Sequence, residues 1–314
     1  MTTPPNAVAG SVDSQRIAPA ALSATRTLYW SIRRELWENR SIYIAPLAVA
    51  AVALLGFLIG LMGVSHSKHA QGSPDAAHQQ GMIATSYAHA AWVLILTGFI
   101  VGVFYSLDAL YGERRDRSIL FWKSLPVSDR TTVIAKASIP LVVLPAVVFG
   151  VTVILHLLMV VLNTGVRLVS GRSVATMWNQ LPLFQMELVL LYGLTVMALW
   201  HAPLYAWLLL VSGWARRATF LWAVVPLLAI SIFERIAFRT SHFASLLQDR
   251  LYGFAMEAFS FRTPEGTPID PHFIPLAQLT PGKFLSTPGL WIGLVVAAAF
   301  LAAAVRLRRY REPI

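Results

Sequence analysis

Six long apolar runs, spread from one end of the chain to the other, constrain it more than any other feature. A helix that crosses a bilayer needs about 20 predominantly apolar residues. Runs of that kind occupy roughly residues 42–62, 88–110, 137–162, 185–212, 219–233 and 288–305. Inside lipid each backbone amide must be satisfied within its own segment, so every run has to be helical. Only 13% of the 314 residues are charged, against about 25% in a soluble domain, too few to solvate a globular surface. The expected fold is all-α and polytopic: one six-helix transmembrane domain over 42–314, preceded by a tail over 1–41. The fourth run is too long for a single straight crossing and leaves room for a bent or interfacial piece. The fifth is expected to stop early, at Glu234 and Arg235.

Orientation follows from the basic residues that flank the runs. With the N-terminus inside, seventeen of the 25 Lys and Arg collect on the inner side, in the tail, in 111–136, at Arg216 and Arg217, and at Arg306, Arg308, Arg309 and Arg311. Both termini inside agrees with an even number of spans. The net charge of +10 is then a matter of topology and of contact with anionic headgroups. No nucleic-acid recognition motif accompanies it, so nucleic acid is set aside as a partner. Cysteine is absent, which removes disulfides, thiolate metal sites and cysteine nucleophiles. The first forty residues hold no short apolar core followed by a small-residue cleavage site.

The polar stretches differ in character. Residues 22–39 carry Leu28, Ile32 and Leu36 at i, i+4 and i+8, with Tyr29 and Trp37 beside them and Arg26, Arg33, Arg34 and Glu38 on other faces. That pattern predicts an amphipathic helix lying in the membrane interface. The loop 63–87 is external in this topology and holds His66, His69 and His78, with His89 at the edge of the next run. His66 and His69 could form half of a metal site, but no carboxylate motif completes it, and solvated loop histidines fit the pattern better. The long external segment 234–287 is apolar at Leu246, Leu247, Leu251, Phe254 and Met256, then turns at its Pro and Gly residues.

Residues 111–136 are the densest basic stretch. Glu113 and Arg117 stand four apart and are expected to pair across a helical turn. Ile119 to Trp122 add apolar surface, and Pro126 disfavours helix at Leu125. Ser128 suits an N-cap and Asp129 the positive first turn of a new helix. The expected arrangement is a short interfacial helix, a break, and a second helix running straight into the third span.

Ser118-Ile119-x-Phe121-Trp122-Lys123-Ser124-Leu125-Pro126-Val127-Ser128, preceded by Glu113-Arg114 and followed by Ala135-Lys136, resembles the cytoplasmic loop of ABC-2 type transporter permeases. These are the membrane subunits of bacterial ABC exporters. The amphipathic N-terminal helix, six spans, long external segment before the last span and basic tail match that layout. The resemblance implies that the loop carries a coupling helix docking on a separate ATPase, present in two copies, with Glu113, Arg114, Arg115, Arg117, Phe121, Trp122, Pro126 and Ser128 as the coupling residues. It implies a second permease copy, a bacterial cytoplasmic membrane, and ATP and magnesium held by the partner. The chain itself has no G-x-x-x-x-G-K-[ST] phosphate loop, so no cofactor is expected on it and no enzymatic activity of its own.

Within the spans, Gly56 and Gly60, and Gly98 and Gly102, are pairs four residues apart that let helices approach closely, within one subunit or between two. Pro140, Pro145, Pro203 and Pro226 interrupt the third, fourth and fifth runs. Intramembrane polar residues are functional candidates, and His156, His201 and Glu187 are the possible pathway residues, with Asp108 nearer a span end. So few charges suit a lipid-like or amphipathic substrate. Two other classes stay open: a membrane-embedded enzyme or metal-handling protein built on His66 and His69, and a non-transporting scaffold.

Overall fold

The computed structural model describes residues 24–66, 76–124, 127–171, 173–175, 178, 181–261 and 274–310. Among them the regular structure is helical, with one isolated antiparallel bridge between Phe259 and Leu279. Six helices are long and apolar enough to cross a membrane, which fits a multi-pass membrane protein. A leading helix α1 (Ala24–Glu38) precedes the first two spans, α2 (Ser41–His66) and α3 (Ala76–Asp108). Two short helices follow, α4 (Tyr111–Arg115) and α5 (Ser118–Ser124). The third span begins as α6 (Asp129–Ser138), passes through a π-helical turn over Ile139–Val143, and continues as α7 (Leu144–Val169). The fourth run forms α8 (Leu183–Trp200) and α9 (Ala202–Trp214), and the fifth span is α10 (Thr219–Phe238).

Several ends differ from the hydropathy reading, each for a local reason. The third helix reaches back from the apolar run near 137 to Asp129, as the Ser128 cap predicts, and Val133, Ala135 and Ala137 give that extension a buried apolar face. Pro140 lies in the π-helical turn, a distortion of the kind that takes up a missing backbone donor. The fourth run is two helices broken at His201, with Pro203 in the first turn of α9, where no N–H is needed. The fifth span does not stop at Glu234; it runs on to Phe238. The Glu234 carboxylate instead accepts bonds from Thr240 Oγ1 at 2.7 Å and from the backbone N–H groups of His242 and Phe243, each at 2.8 Å.

Past α10 the chain folds back on the bundle. It forms α11 (His242–Gln248), a π-helical turn over Asp249–Gly253, α12 (Phe254–Ala258) and α13 (Pro281–Ser286) before the last span, α14 (Pro288–Tyr310). Its two arms are tied by Ser260 N to Gln278 O at 2.9 Å and Thr280 N to Ala258 O at 3.0 Å. The anchor is Trp200, packed among Ala258, Phe259, Phe284 and Leu290, with Nε1 donating to Asp249 O at 3.1 Å. Arg250 stacks over the Trp200 ring at 4.6 Å and donates to Gly289 O. A Cβ at Gly293 would lie 2.7 Å from the Arg250 guanidinium, so that glycine makes room for the cation.

Spans two, three and four share one core through Tyr87, Leu94, Val148, Leu155, Met159 and Leu190. Gly98 and Gly102 belong to packing inside this chain: added Cβ atoms would lie 2.6 Å from Val148 Cγ2 and 3.1 Å from the Tyr205 ring. Gly56 and Gly60 have nothing within 4 Å of such an atom. The first and fifth spans are the least covered by the rest of the chain, leaving Val52, Ile59 and Ile236 largely exposed. An apolar surface of that extent matches lipid or another protein, not water.

Candidate functional site

Four distant parts of the sequence meet at the end of the bundle where the basic residues gather. Glu35 of α1 is fully buried. Lys136 Nζ reaches both of its oxygens, at 2.9 and 3.1 Å, and Tyr105 Oη donates to Oε2 at 2.8 Å. Arg34 Nη2 lies 2.6 Å from Glu35 Oε1 and 3.3 Å from Glu113 Oε1. Lys136 also pairs ionically with Glu113 at 3.2 Å. Arg308, at the end of α14, pairs with the other oxygen of Glu113 and with Asp129 Oδ1 at 3.0 Å. Three cations thus face three carboxylates, with Glu38 at the edge, 3.6 Å from Arg34.

The local folding explains the convergence. Ile32 and Leu36 turn one face of α1 onto a core with Ile42, Tyr105 and Leu209, and Glu35 lies on that face. The third span, extended as α6, brings Lys136 alongside. Burial by itself would raise the pKa of Glu35; Lys136 and Arg34 overcome that penalty and hold it below the ordinary carboxylate value. An isolated charge there would be costly, but each ion here is paired and hydrogen-bonded.

The predicted coupling segment divides into an inner and an outer half. Glu113 and Arg114 are buried, so they are not docking-surface residues. Glu113 is the centre of the charge network, and Arg114 Nη1 donates to Gly213 O at 2.7 Å and Ala215 O at 3.2 Å. The expected Glu113–Arg117 pair does not form, because α4 ends at Arg115 and Arg117 takes a left-handed φ of 56°. What faces outward is Arg115, Asp116 and Arg117, followed by Leu120 and Phe121 of α5, each about three-fifths exposed. Ile119 points inward. The side chain of Trp122 and the whole of Pro126 lie outside the described residues. Ser128 accepts from Thr131 N at 3.1 Å, and Asp129 stands in the first turn of α6.

The pathway candidates separate. His156 and Glu187 meet, Nδ1 to Oε1 at 2.6 Å, while His156 Nε2 lies 3.0 Å from Tyr87 O. A carbonyl only accepts, so the tautomer that serves the Tyr87 contact is the one with Nε2 as donor. His201 stands elsewhere, at the break between α8 and α9, packed between Phe99 and Phe254 and bonded through Nδ1 to Met197 O at 2.8 Å. His69 and the side chains of His66 and His78 lie outside the described residues. Among the described residues no group of three His, Asp or Glu could hold a metal ion. Sequence reasoning missed Glu35, Lys136, Tyr105 and Arg308. The one available signal was a Glu on the apolar face of an amphipathic helix. No protein family, curated protein or solved structure matches the chain.

Proposed function

We propose that this chain is the permease subunit of an ATP-driven exporter of the ABC-2 type. It lies in a bacterial cytoplasmic membrane with both termini and the charge network on the cytoplasmic side. The positive-inside rule supports that orientation, because α1, residues 111–136, Arg216, Arg217 and the end of α14 collect the basic residues at one end of the bundle. Two copies of a separate ATPase hold the ATP and magnesium and dock on α5. A second permease copy covers the open faces of the first and fifth spans, where Gly56 and Gly60 leave room for close approach.

One observation carries this reading: α5, with Leu120 and Phe121 exposed, connects through α4 to a buried network that ties α1, α3, α6 and α14 together. A push on α5 reaches Glu113, which is ionically tied to α1, α6 and α14. From Asp129 to Val169 the third span is a continuous helical stretch of 41 residues, roughly 60 Å long, with a π-helical turn over Ile139–Val143. Motion entering at its capped end is therefore delivered across the membrane. The direct test is purification of the complex from native membranes with mild detergent. An ATPase subunit is expected to accompany the chain, and its consistent absence would sink the proposal. Phe121→Asp combined with Arg115→Glu should abolish that association while leaving the chain folded; unchanged association would remove α5 as the docking surface.

A further inference from the structure

At the end of the bundle away from the charge network, spans two, three and four and the folded-back external segment enclose a cavity of about 580 Å³. That volume is within the range of ligand pockets, roughly 300–1,000 Å³. Its depth is lined by groups such as Ile95, Leu190, Leu194 and Phe259, and its mouth by the exposed Trp92 and Tyr252. Among the described lining residues the ionisable side chains are His156 and, at the mouth, Tyr252, and both ring nitrogens of His156 are already engaged by Glu187 and Tyr87 O. A buried water needs two to four polar partners, and this wall offers almost none. Met186, Met197 and Met256 add three flexible thioethers that adapt to a mobile ligand.

We propose that this cavity binds the alkyl chain of one amphiphile drawn from the bilayer, with the amphiphile's polar head left at the mouth beside Tyr252. The solvent of the surrounding spans is hydrocarbon, and an apolar chain is the ligand that satisfies such walls. Use of the cavity as a cargo site rests on the exporter reading; its occupancy by a chain does not.

Gly193 supplies the control. A Cβ built there meets the Phe259 ring at 3.5 Å, an ordinary contact, so a side chain can enter the cavity without moving backbone. The experiment reconstitutes the full chain in phosphatidylcholine vesicles doped with phosphatidylcholine that carries a diazirine in its acyl chain. After irradiation, adducts are mapped by mass spectrometry. Adducts at Met186, Met197 and Met256 should exceed those on the outer face of α2 at Val52 and Ile59. Excess free fatty acid should compete them away while leaving the α2 adducts unchanged. Gly193→Leu should lower them roughly tenfold, the loss expected when about two methylenes of bound chain are displaced. Adducts confined to outer faces, or cavity adducts that neither compete nor respond to Gly193→Leu, would overturn the site, and the competition arm decides the matter even if the variant does not fold. Loss of the site with an ATPase still copurifying defeats the cargo site alone. A chain-filled cavity with no ATPase defeats the exporter reading alone.

Discussion

Lys136 bridges the two buried carboxylates of the charge network. Its ammonium serves both oxygens of Glu35 and one of Glu113. Removing one partner of a buried pair leaves an uncompensated charge and costs about 3–5 kcal/mol. Lys136→Met and Glu35→Ala should each lower thermal stability in detergent by that order, and the double variant by less than the sum; strict additivity would show that the two do not interact. The depressed pKa of Glu35 fixes the sign of the pH dependence. A carboxylate held below its ordinary value of 4.5 stabilises the fold at pH above that value and loses its contribution as pH falls through the lowered one. The acid limb of a stability–pH curve should therefore flatten in Glu35→Gln. Arg117 makes a separate prediction. Its left-handed φ costs a non-glycine residue about 1–2 kcal/mol, so Arg117→Gly should raise stability by roughly 1 kcal/mol once glycine's extra entropy loss is subtracted, measured as a shift in unfolding temperature.

At the level of elements, the chain uses amphipathic helices in two ways. The inward face of α1 carries Ile32, Glu35 and Leu36, while Trp30 and Trp37 stay exposed with Arg33 between their rings, at 5.1 and 4.8 Å from the centroids. An aromatic and cationic stripe of that kind suits the headgroup region. Its inner face nevertheless makes α1 part of the bundle rather than only a surface anchor. The short helix α5 has the opposite balance, one inward residue, Ile119, and an exposed apolar pair. Because Leu120 and Phe121 are each about three-fifths exposed, Leu120→Ser with Phe121→Ser should change stability by less than about 0.5 kcal/mol, as surface substitutions do. The same pair should abolish ATPase association, separating a docking role from a structural one. In the fourth run the break at His201 lets the external segment reach Trp200 and His201 through Asp249 O and Leu251 O. A straight helix there would leave Arg250 and the π-helical turn without their seats.

For the whole molecule, the absence of cysteine makes orientation and assembly directly testable with single introduced thiols. Phe121→Cys should react with a membrane-impermeant maleimide only in inverted vesicles, and Tyr252→Cys only in right-side-out ones; the reverse pattern would overturn the topology. If two copies pair along the first span, Gly60→Cys should form an intermolecular disulfide on oxidation, whereas Gly98→Cys should not, because Val148 already fills that approach. The six crossings, the capped start of the third helix at Ser128 and the concentration of positive charge at one end were legible in the sequence. Each depends on composition within some 20 residues and on the demand that lipid makes on backbone amides. The roles of Glu113 and Arg114 were not legible. Their partners lie from 23 to 195 residues away, and a local rule offered Arg117 instead. The His156–Glu187 pair and the cavity beside it were equally hidden, since hydropathy records how apolar a helix is and not which face meets which neighbour. The sequence by itself therefore determined that this chain forms six helices long and apolar enough to cross a membrane and where its basic residues lie, because the bilayer acts on each segment separately. Only the tertiary structure decided which charges are buried together, which glycines remain open and where a cavity is left, because those depend on helix faces that meet only after the spans have packed.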